Sequence, residues 1–377
     1  MSGNRPVGIE LFAGCGGLST GFLDAGLKVA AGFELDARAV DAYEYNHGHR
    51  GSVSVRCDLS TASGKDLLKA AGLASIDFVI GGPPCQPFSI VGKRLGREDH
   101  RADLIHQFVR LVGELKPRAF LLENVPNLAS MSDGSIFNRL IRELRKFGFT
   151  VRWEIVTAAD YGVAQVRKRL IVIGLRNAGS VKFPEPTHGP LRLSYRTARD
   201  AIDDLPDAGE FGDTGIYNHE PTAHSSGMLA RLEKLKPGER ERGSFHDRLH
   251  PDRPSYTLRA GSGNFSPLRP IHYKYDRVIT ARESARIQGF SDKFIWPDRI
   301  PRLQQYRQIG NAVPPPLAAA FAKSMAAQMK WKLRPEEMIG DWASREPAMT
   351  LTDEERKAQR SSRTRGASLG GYAVPAE

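Results

Sequence analysis

Cys85 lies in a short segment, Gly81-Gly-Pro-Pro-Cys-Gln-Pro-Phe-Ser89, which directly follows an apolar run typical of a buried strand. Three prolines fix φ around the cysteine and remove three backbone donors, so the loop that carries the thiol is stiff. An exposed cysteine in such a loop can act as a nucleophile when its thiolate is stabilised. A small buried cysteine in a turn would fit the same pattern, and both interpretations stay open at this point.

A glycine-rich turn, Glu10-Leu-Phe-Ala-Gly-Cys-Gly-Gly-Leu18, follows the first apolar run of the chain. Its glycines let the backbone turn sharply and approach a ligand closely, although such a turn alone is a weak signal. Glu34, about 20 residues further on at the end of the next predicted strand, is suited to binding ribose hydroxyls. Asp58 occupies a third position of this kind. Together these residues indicate a cofactor that contains a nucleoside.

Two further polar groups border predicted strands. Glu123 ends the apolar run 118–122, and a carboxylate at that place is costly unless it is paired or functional. Next to a cysteine loop it could donate or accept a proton. The segment Gln165-Val-Arg-Lys-Arg169 precedes another apolar run, and its side chains can present directed donors to a planar polar ligand. Taken alone, this segment would be read as a basic turn.

The elements that must position these residues alternate between strands and helices. Strands are predicted over 7–12, 27–33, 76–80, 118–122 and 170–174, and helices from about Leu18 and over 36–45, 102–115 and 135–147. This alternation predicts a doubly wound α/β fold with a parallel sheet. Ligands of such sheets bind beyond the carboxyl ends of the strands, where the cysteine loop, the glycine-rich turn and Glu123 would meet.

The pattern changes after residue 176. Pro, Gly, Arg and His become frequent over 177–276 and the periodicity fades, which predicts a second, smaller domain after a first domain over 1–176. Residues 277–345, with helices over 280–288 and after Pro314, are predicted to return to the first domain. Residues 346–377 are polar and rich in Arg and Ser, and we expect them to form a mobile tail.

Length, composition and charge restrict the class of protein. A chain of 377 residues with 40% hydrophobic residues is not disordered and exceeds one ordinary domain. No apolar run approaches the roughly 18 residues of a membrane span, and a signal segment is missing, so we expect a cytoplasmic protein. Three cysteines without Cys-x-x-Cys spacing predict neither a structural zinc site nor a disulfide framework.

The net charge of +11 is unevenly distributed, since residues 225–310 hold 17 Lys and Arg against 9 Asp and Glu. A nucleic acid is the obvious partner of such a segment, and a solvated basic surface is the equal alternative.

Six ordered segments within about residues 7–325 resemble the motifs of one family, the DNA (cytosine-5) methyltransferases of restriction–modification type. They are Phe12-Ala-Gly-Cys-Gly-Gly, Pro84-Cys-Gln-Pro-Phe-Ser, Glu123-Asn-Val, Gln165-x-Arg-x-Arg, Arg277-x-Ile-Thr-x-Arg-Glu-x-Ala-Arg-Ile-Gln-Gly-Phe290 and Gln308-Ile-Gly-Asn-Ala-Val-Pro314. The resemblance implies the S-adenosylmethionine-dependent methyltransferase fold, with a mixed, mostly parallel sheet. It also implies that 177–276 is a target-recognition domain facing that sheet across a cleft for double-stranded DNA.

The same resemblance implies S-adenosylmethionine as the cofactor. Phe12 would pack on the adenine, Glu34 would bind the ribose hydroxyls and Asp58 the adenine amino group. Leu35 stands where many relatives carry an aromatic residue, and it should still pack on the other adenine face. The implied pocket comprises Phe12, Gly14, Gly16, Gly17, Leu18, Glu34, Leu35, Asp58, Pro84, Leu104, Asn311 and Val313.

For the chemistry, the resemblance implies that a Cys85 thiolate adds to C6 of a cytosine flipped out of the duplex, which activates C5. Glu123 would bind N3 and the 4-amino group, and Arg169 would bind the O2 side. Arg167 and Gln165 would brace the site. The base that removes the C5 proton is not identified, and a water molecule is a plausible one.

Two segments would bind DNA by the same resemblance. Ser89–Arg101 is similar to the mobile loop that closes over the flipped base, with Ser89, Lys93, Arg94, Arg97 and Arg101. Thr257 and Arg259 lie in Pro254–Gly263, which resembles the Thr-Leu element of family recognition regions. Arg259 could bond O6 and N7 of a guanine, or equally a phosphate.

Three other functions fit parts of the sequence: a tRNA cytosine-5 methyltransferase, a non-catalytic DNA-binding regulator and, less well, a Rossmann oxidoreductase. Ser89 stands where tRNA-specific relatives tend to carry Thr, and the presence of Cys85, Glu123 and Arg169 favours an enzyme. A restriction–modification enzyme would share its site with a cognate restriction endonuclease and reside, through DNA, at the bacterial nucleoid. One active site in one chain needs no dimer, so a monomer is expected.

Overall fold

The computed structural model describes residues 5–84, 102–211, 214–241, 246–260 and 269–334. Its strands are β1 Val7–Leu11, β2 Lys28–Glu34, β3 Val53–Arg56, β4 Phe78–Gly81, β5 Ala119–Asn124, β6 Phe149–Thr157 and β7 Lys168–Arg176. Its α-helices are α1 Gly17–Asp24, α2 Ala37–His47, α3 Gly64–Ala70, α4 Ala102–Leu115, α5 Ser135–Lys146, α6 Ala198–Ile202, α7 Ala208–Phe211, α8 Ser226–Leu232, α9 Ala281–Gln288, α10 Arg302–Asn311 and α11 Pro315–Met329.

The strands form one seven-stranded sheet in the order β3-β2-β1-β4-β5-β7-β6. The first five strands in this order are parallel, β7 is antiparallel to β5, and β6 is antiparallel to β7. The predicted doubly wound, mixed and mostly parallel sheet is therefore confirmed. Because β7 runs against β5, the start of β7 lies at the same sheet edge as the carboxyl ends of β1, β2, β4 and β5. This edge is called the strand edge below.

Helices cover both faces of the sheet because successive strand side chains point to opposite faces. Phe120 and Leu122 pack in the core beneath α3, α4 and α5. Leu121, between them, packs in the core of α1 and α11, together with Phe22 and Phe321. Burial of each such side chain stabilises the fold by roughly 1.5–3 kcal/mol. None of the described helices is long and apolar enough to cross a membrane.

Some element boundaries differ from the predicted ones. The prediction placed Phe12 in the first strand, but its φ is 56°, so the strand ends at Leu11 and the chain enters the glycine-rich turn. Strands β3 and β6 and helices α3 and α10 were not predicted. Helix α4 has the predicted bounds. Helix α9 begins one residue later than predicted, because Thr280 is its N-cap and forms a capping box with Glu283.

The described residues of the region 177–276 include the short helices α6, α7 and α8. Ala201, Leu249 and Tyr273 of this region share one core cluster with Ile279 and Trp296, which follow it in sequence. The division into domains at residues 176 and 276 stays a prediction. The predicted tail, 346–377, lies outside the described residues.

Candidate active site

A buried pair, Glu123 and Arg169, lies at the strand edge. Glu123 is next to the last residue of β5 and opposes Ile171 in the antiparallel ladder with β7. Arg169 Nε lies 2.7 Å from Glu123 Oε1, and the two side chains are 11% and 8% exposed. Oε1 is buried, and its contact with Arg169 is ionic. A carboxylate beside a guanidinium suits a planar ligand that offers both an N–H group and an acceptor.

The residues that lead to Cys85 are held against this pair. A side chain at Gly82 would lie 3.2 Å from Glu123 Oε2, so the glycine lets the chain pass close to the carboxylate. Asn124 Nδ2 donates to the carbonyl oxygen of Pro83 at 2.9 Å and fixes the start of the loop. No role was predicted for Asn124 from the sequence. Outside the described residues lie Cys85 and the predicted DNA-binding residues Ser89, Lys93, Arg94, Arg97 and Arg101.

The two cysteines that the structure describes are poor nucleophiles. Cys15 is 2% exposed, and burial raises the pKa of its thiol far above the ordinary value. Cys57 is half-buried, and burial together with the neighbouring Asp58 carboxylate raises the pKa of its thiol as well. Because the thiolate is the reactive form of cysteine, neither is suited to the part predicted for Cys85.

Gln165 and Arg167 are buried behind Arg169, at 0% and 1% exposure. Arg167 donates to the carbonyl oxygens of Leu258 at 3.1 Å and Gly310 at 2.7 Å. Burial, reinforced by the positive charge of Arg169, lowers the pKa of its guanidinium. Both side chains contact protein rather than the open strand edge. The bracing role predicted for them, like a part in catalysis, stays a prediction.

The glycine-rich turn borders an open space at the strand edge. Gly14 has a φ of 55°, and a side chain there would meet no described atom within 4 Å. Its N–H donates to Glu34 Oε2 at 2.9 Å. The other oxygen of Glu34 accepts from the N–H groups of Leu35 at 2.8 Å and Asp36 at 3.0 Å. Beneath the turn, a side chain at Gly16 would collide with the rings of Tyr43 and His47.

These residues fit an adenosine-containing cofactor. The carboxylates of Glu34 and Asp58 lie at and just beyond the ends of β2 and β3, which are neighbouring parallel strands. Ser60 donates to Asp58 from N and Oγ at 2.9 and 2.7 Å, and these bonds lower the pKa of the Asp58 carboxyl. Leu35 is 57% exposed and offers an apolar surface to a ring. Among the other predicted residues, Phe12 and Leu104 are half-buried, Pro84 and Asn311 are exposed, and Gly16, Gly17, Leu18 and Val313 are buried.

The described residues contain no cluster of three or more His, Cys, Asp or Glu that could hold a metal ion.

A buried acid beneath the turn was missed by sequence analysis. Glu10 is 2% exposed and accepts hydrogen bonds from the N–H of Ser19, at 3.0 Å, and from its hydroxyl. The Ser19 hydroxyl also lies 2.8 Å from Tyr43 OH. Burial raises the pKa of Glu10 to about 8, although the bonds from Ser19 oppose the shift. A signal was present, because a glutamate inside an apolar strand is costly unless it is hydrogen-bonded.

Glu10→Gln should change the pH dependence of stability. A carboxyl whose folded pKa is raised from 4.5 to about 8 contributes stability below pH 4.5, and this contribution is lost as pH rises through 8. The amide of the variant stays neutral, so the wild type should lose up to about 1.4 kcal/mol per pH unit relative to the variant between those values. Thermal unfolding midpoints of both proteins from pH 5 to 8.5 measure this difference. Parallel profiles would contradict it.

The predicted recognition element is attached directly to the basic segment Gln165–Arg169, which leads into β7. Thr257 Oγ1 donates to the carbonyl oxygen of Val166 at 2.9 Å, and Val166 N donates to Ser255 O at 2.8 Å. Thr257 and Arg259 are both exposed. The element therefore lies against the segment that carries Arg169, and its exposed side chains are available to a ligand.

The family model of C-5 cytosine-specific DNA methylases matches residues 7–327. The chain is 35% identical over 332 residues to the Type II methyltransferase M1.HphI of Haemophilus parahaemolyticus, covering 84% of this chain and 86% of that protein. It is 34% identical over 384 residues to the Type II methyltransferase M.XorII of Xanthomonas oryzae pv. oryzae, covering 89% and 88%.

Solved structures show the same architecture. A putative DNA modification methyltransferase encoded within an Escherichia coli prophage superposes with a TM-score of 0.73 at 30% identity, over 86% of this chain and all of that one. The Dnmt2 methyltransferase of S. pombe, at 18% identity and a TM-score of 0.67 over 87% of this chain and all of that one, shows the fold alone. The motif order, the strand-edge geometry and the match over residues 7–327 agree, and the chain belongs to the C-5 cytosine-specific DNA methylase family.

Proposed function

We propose that the protein transfers a methyl group from S-adenosylmethionine to C5 of a cytosine flipped out of duplex DNA, through a covalent bond between Cys85 and C6. The observation that carries this proposal is the Glu123–Arg169 ion pair, which lies at the strand edge beside the start of the Cys85 loop. A cytosine ring can offer Glu123 its N3 and its 4-amino group, and can offer Arg169 its O2 as an acceptor.

Each protein group has one task in this reaction. The Cys85 thiolate forms a bond to C6 while Glu123 delivers or shares a proton at N3, which turns C5 into an enamine-like carbon. Arg169 donates to O2 and stabilises the charge on the ring. Once C5 carries the methyl group, its proton leaves to a base such as water, the S–C6 bond breaks, N3 returns its proton to Glu123 and the thiolate is regenerated. Because these groups cannot reach a stacked base, the cytosine must leave the duplex.

The cofactor would be held at the glycine-rich turn, and it supplies an activated methyl group on a sulfonium. Glu34 would accept from the ribose hydroxyls, and Asp58 from the adenine amino group. Phe12 and Leu35 would pack on the two faces of the adenine. The open space above Gly14 and the two carboxylates at neighbouring strand ends support this assignment.

We further propose that the protein acts within a restriction–modification system, as a monomer, with a cognate endonuclease that cuts the same DNA site. Support comes from relatives described as Type II methyltransferases and from site residues that all belong to one chain.

The proposed substrate is tested by bisulfite sequencing of DNA and of tRNA from cells that express the protein. Methylated cytosine in one DNA context is expected, whereas methylation of tRNA alone would contradict the proposed substrate.

Arg259→Ala tests the reading of bases. If Arg259 bonds a guanine edge, the variant should lose about 1–3 kcal/mol of binding to the duplex methylated in that experiment and should relax the preference for one base pair. Competition binding with duplexes altered at single positions measures both effects. An equal loss on every duplex would make Arg259 a phosphate contact instead.

A further inference from the structure

We propose that Gln288 is a positioning residue for methyl transfer, which holds the recognition segment Ser255–Ala260 at a fixed place relative to Gly310–Val313. These four residues, the end of α10 and the two residues that follow it, are called the cofactor-side loop below. The inference rests on the proposed function and adds to it a residue that touches neither substrate. Gln288 is the last residue of α9 and is 0% exposed. Among the described residues predicted to act in catalysis or cofactor binding, Gln165 is the one that forms a hydrogen bond with Gln288. Gln288 lies between the recognition segment and the cofactor-side loop.

The recognition segment is held through both backbone groups of one residue. Leu258 N donates to Gln165 Oε1 at 3.0 Å, and Leu258 O accepts from Arg167 Nη1 at 3.1 Å. Gln165 and Arg167 each form a second hydrogen bond, which connects them to the cofactor-side loop. Arg167 Nη2 donates directly to Gly310 O at 2.7 Å, whereas Gln165 reaches the loop only through Gln288.

The hydrogen bonds through Gln288 run in one direction, and the backbone fixes that direction. Leu258 N can only donate, so Gln165 must present its oxygen there and its amide nitrogen to Gln288, at 2.6 Å. Ala312 O can only accept, so Gln288 must present its nitrogen there, at 2.5 Å, and its oxygen to Gln165. Both ends therefore require that residue 288 accepts one bond and donates another.

The cofactor-side loop packs directly against both the recognition segment and the glycine-rich turn. A side chain at Gly310 would lie 2.8 Å from the backbone nitrogen of Ala260, so the recognition segment rests on that glycine. A side chain at Gly17 would lie 3.1 Å from Ala312 Cβ, so the same loop also rests on the glycine-rich turn. The loop thus contacts both the recognition segment and the glycine-rich turn, and Gln288 binds its third residue, Ala312.

Loss of the hydrogen bonds through Gln288 should therefore affect the alignment of the reacting groups more than the binding of cofactor or DNA. The turn, Glu34 and Asp58 would still hold the cofactor, and phosphate contacts would still hold DNA. A misplacement of about 1 Å between reacting groups can lower a rate by about 10²-fold. Gln288→Met, which keeps the shape and removes both bonds, should lower kcat by about 10–100-fold and change KM for S-adenosylmethionine by less than about threefold.

Gln288→Glu separates positioning from packing. When the new carboxyl group is protonated it can donate to Ala312 O and accept from Gln165, whereas in its ionised form it can only accept. The ratio of the variant's kcat to that of the wild type should rise toward one as pH falls, and the ratio for Gln288→Met should stay constant. If the two ratios follow the same pH dependence, the positioning role is overturned. Wild-type kcat in Gln288→Met would overturn it too.

Amide hydrogen exchange of Leu258 tests the chain of bonds without any methylation. Its N–H should exchange at least about 10-fold faster in Gln288→Met than in the wild type, because its acceptor Gln165 loses its own anchor. Gln328→Met is the matched control. Gln328 lies on α11, away from both segments, and its side chain accepts from Lys182 N at 2.7 Å and donates to Lys182 O at 2.9 Å. It should leave exchange and kcat unchanged.

Unchanged exchange in Gln288→Met would reject the inference even if the enzyme methylates DNA as proposed. A wild type that methylates no cytosine would reject the proposed function while the exchange result still decided the hydrogen-bond chain. If Gln288→Met does not fold, Gln288→Glu decides alone, and a ratio of its kcat to that of the wild type that does not rise as pH falls overturns the inference.

Discussion

Cys85→Ser is expected to abolish methyl transfer, with kcat lowered by more than about 10³-fold. A serine hydroxyl is hardly ionised near neutral pH, whereas a cysteine is at least partly thiolate, and only the anion adds readily to C6. The measurement is transfer of labelled methyl groups from S-adenosylmethionine to the duplex identified by bisulfite sequencing. Binding of S-adenosylhomocysteine should stay near the wild-type affinity, because the glycine-rich turn is untouched.

Cys57→Ser is the matched control for this variant. Cys57 is half-buried with a raised thiol pKa, and its side chain takes no part in the proposed chemistry. The control should keep kcat within about twofold of the wild type, as expected of a substitution away from the reacting groups. Methyl transfer at a wild-type rate by Cys85→Ser would rule out the nucleophile assigned here.

Glu123→Gln is the second large effect. The amide that replaces the carboxylate can still lie beside Arg169 and accept a hydrogen bond, but it cannot deliver a proton to N3. General acid–base participation contributes about 10²–10⁴-fold, so kcat should fall by that factor while S-adenosylhomocysteine affinity is retained. Single-turnover kinetics with a saturating duplex isolates the chemical step.

Glu143→Gln controls for the loss of a carboxylate as such. Glu143 forms an ion pair on α5 with Arg139, whose side chain is 66% exposed, and such surface pairs are worth about 0–1 kcal/mol. Its kcat should equal that of the wild type. If Glu123→Gln also turns over normally, Glu123 has a structural task alone and the proposed proton at N3 must come from another group.

The fold could be predicted where buried apolar segments are long or regular. Helix α4, Ala102–Leu115, has an amphipathic pattern over four turns and was placed at its true ends. Strand β3 was missed because Val53–Arg56 is short and contains no buried residue. In β6, Phe149 and Val151 are buried and alternate with polar residues, so a signal was present and was overlooked.

The site could be predicted as far as strand ends determine it. Because the carboxyl ends of parallel strands share one edge, ligand-binding residues were expected in the loops after the strands, and the structure places Glu34 at the end of β2 and Glu123 near the end of β5. The contacts of Gln165 and Asn124 could not be predicted. The Gln165–Gln288 bond joins residues 123 positions apart, and no local pattern states which distant amide will complete a buried hydrogen bond.

Covalent trapping tests the central claim most directly. A duplex carrying 5-fluorocytosine at the target position cannot release a C5 proton, so the S–C6 bond cannot break once the methyl group is in place. With S-adenosylmethionine present, the wild type should run on a denaturing gel as a protein–DNA adduct, Cys57→Ser should give the same band, and Cys85→Ser should give none. An adduct that persists in Cys85→Ser, or no adduct from a wild type that methylates unmodified DNA, would contradict the account.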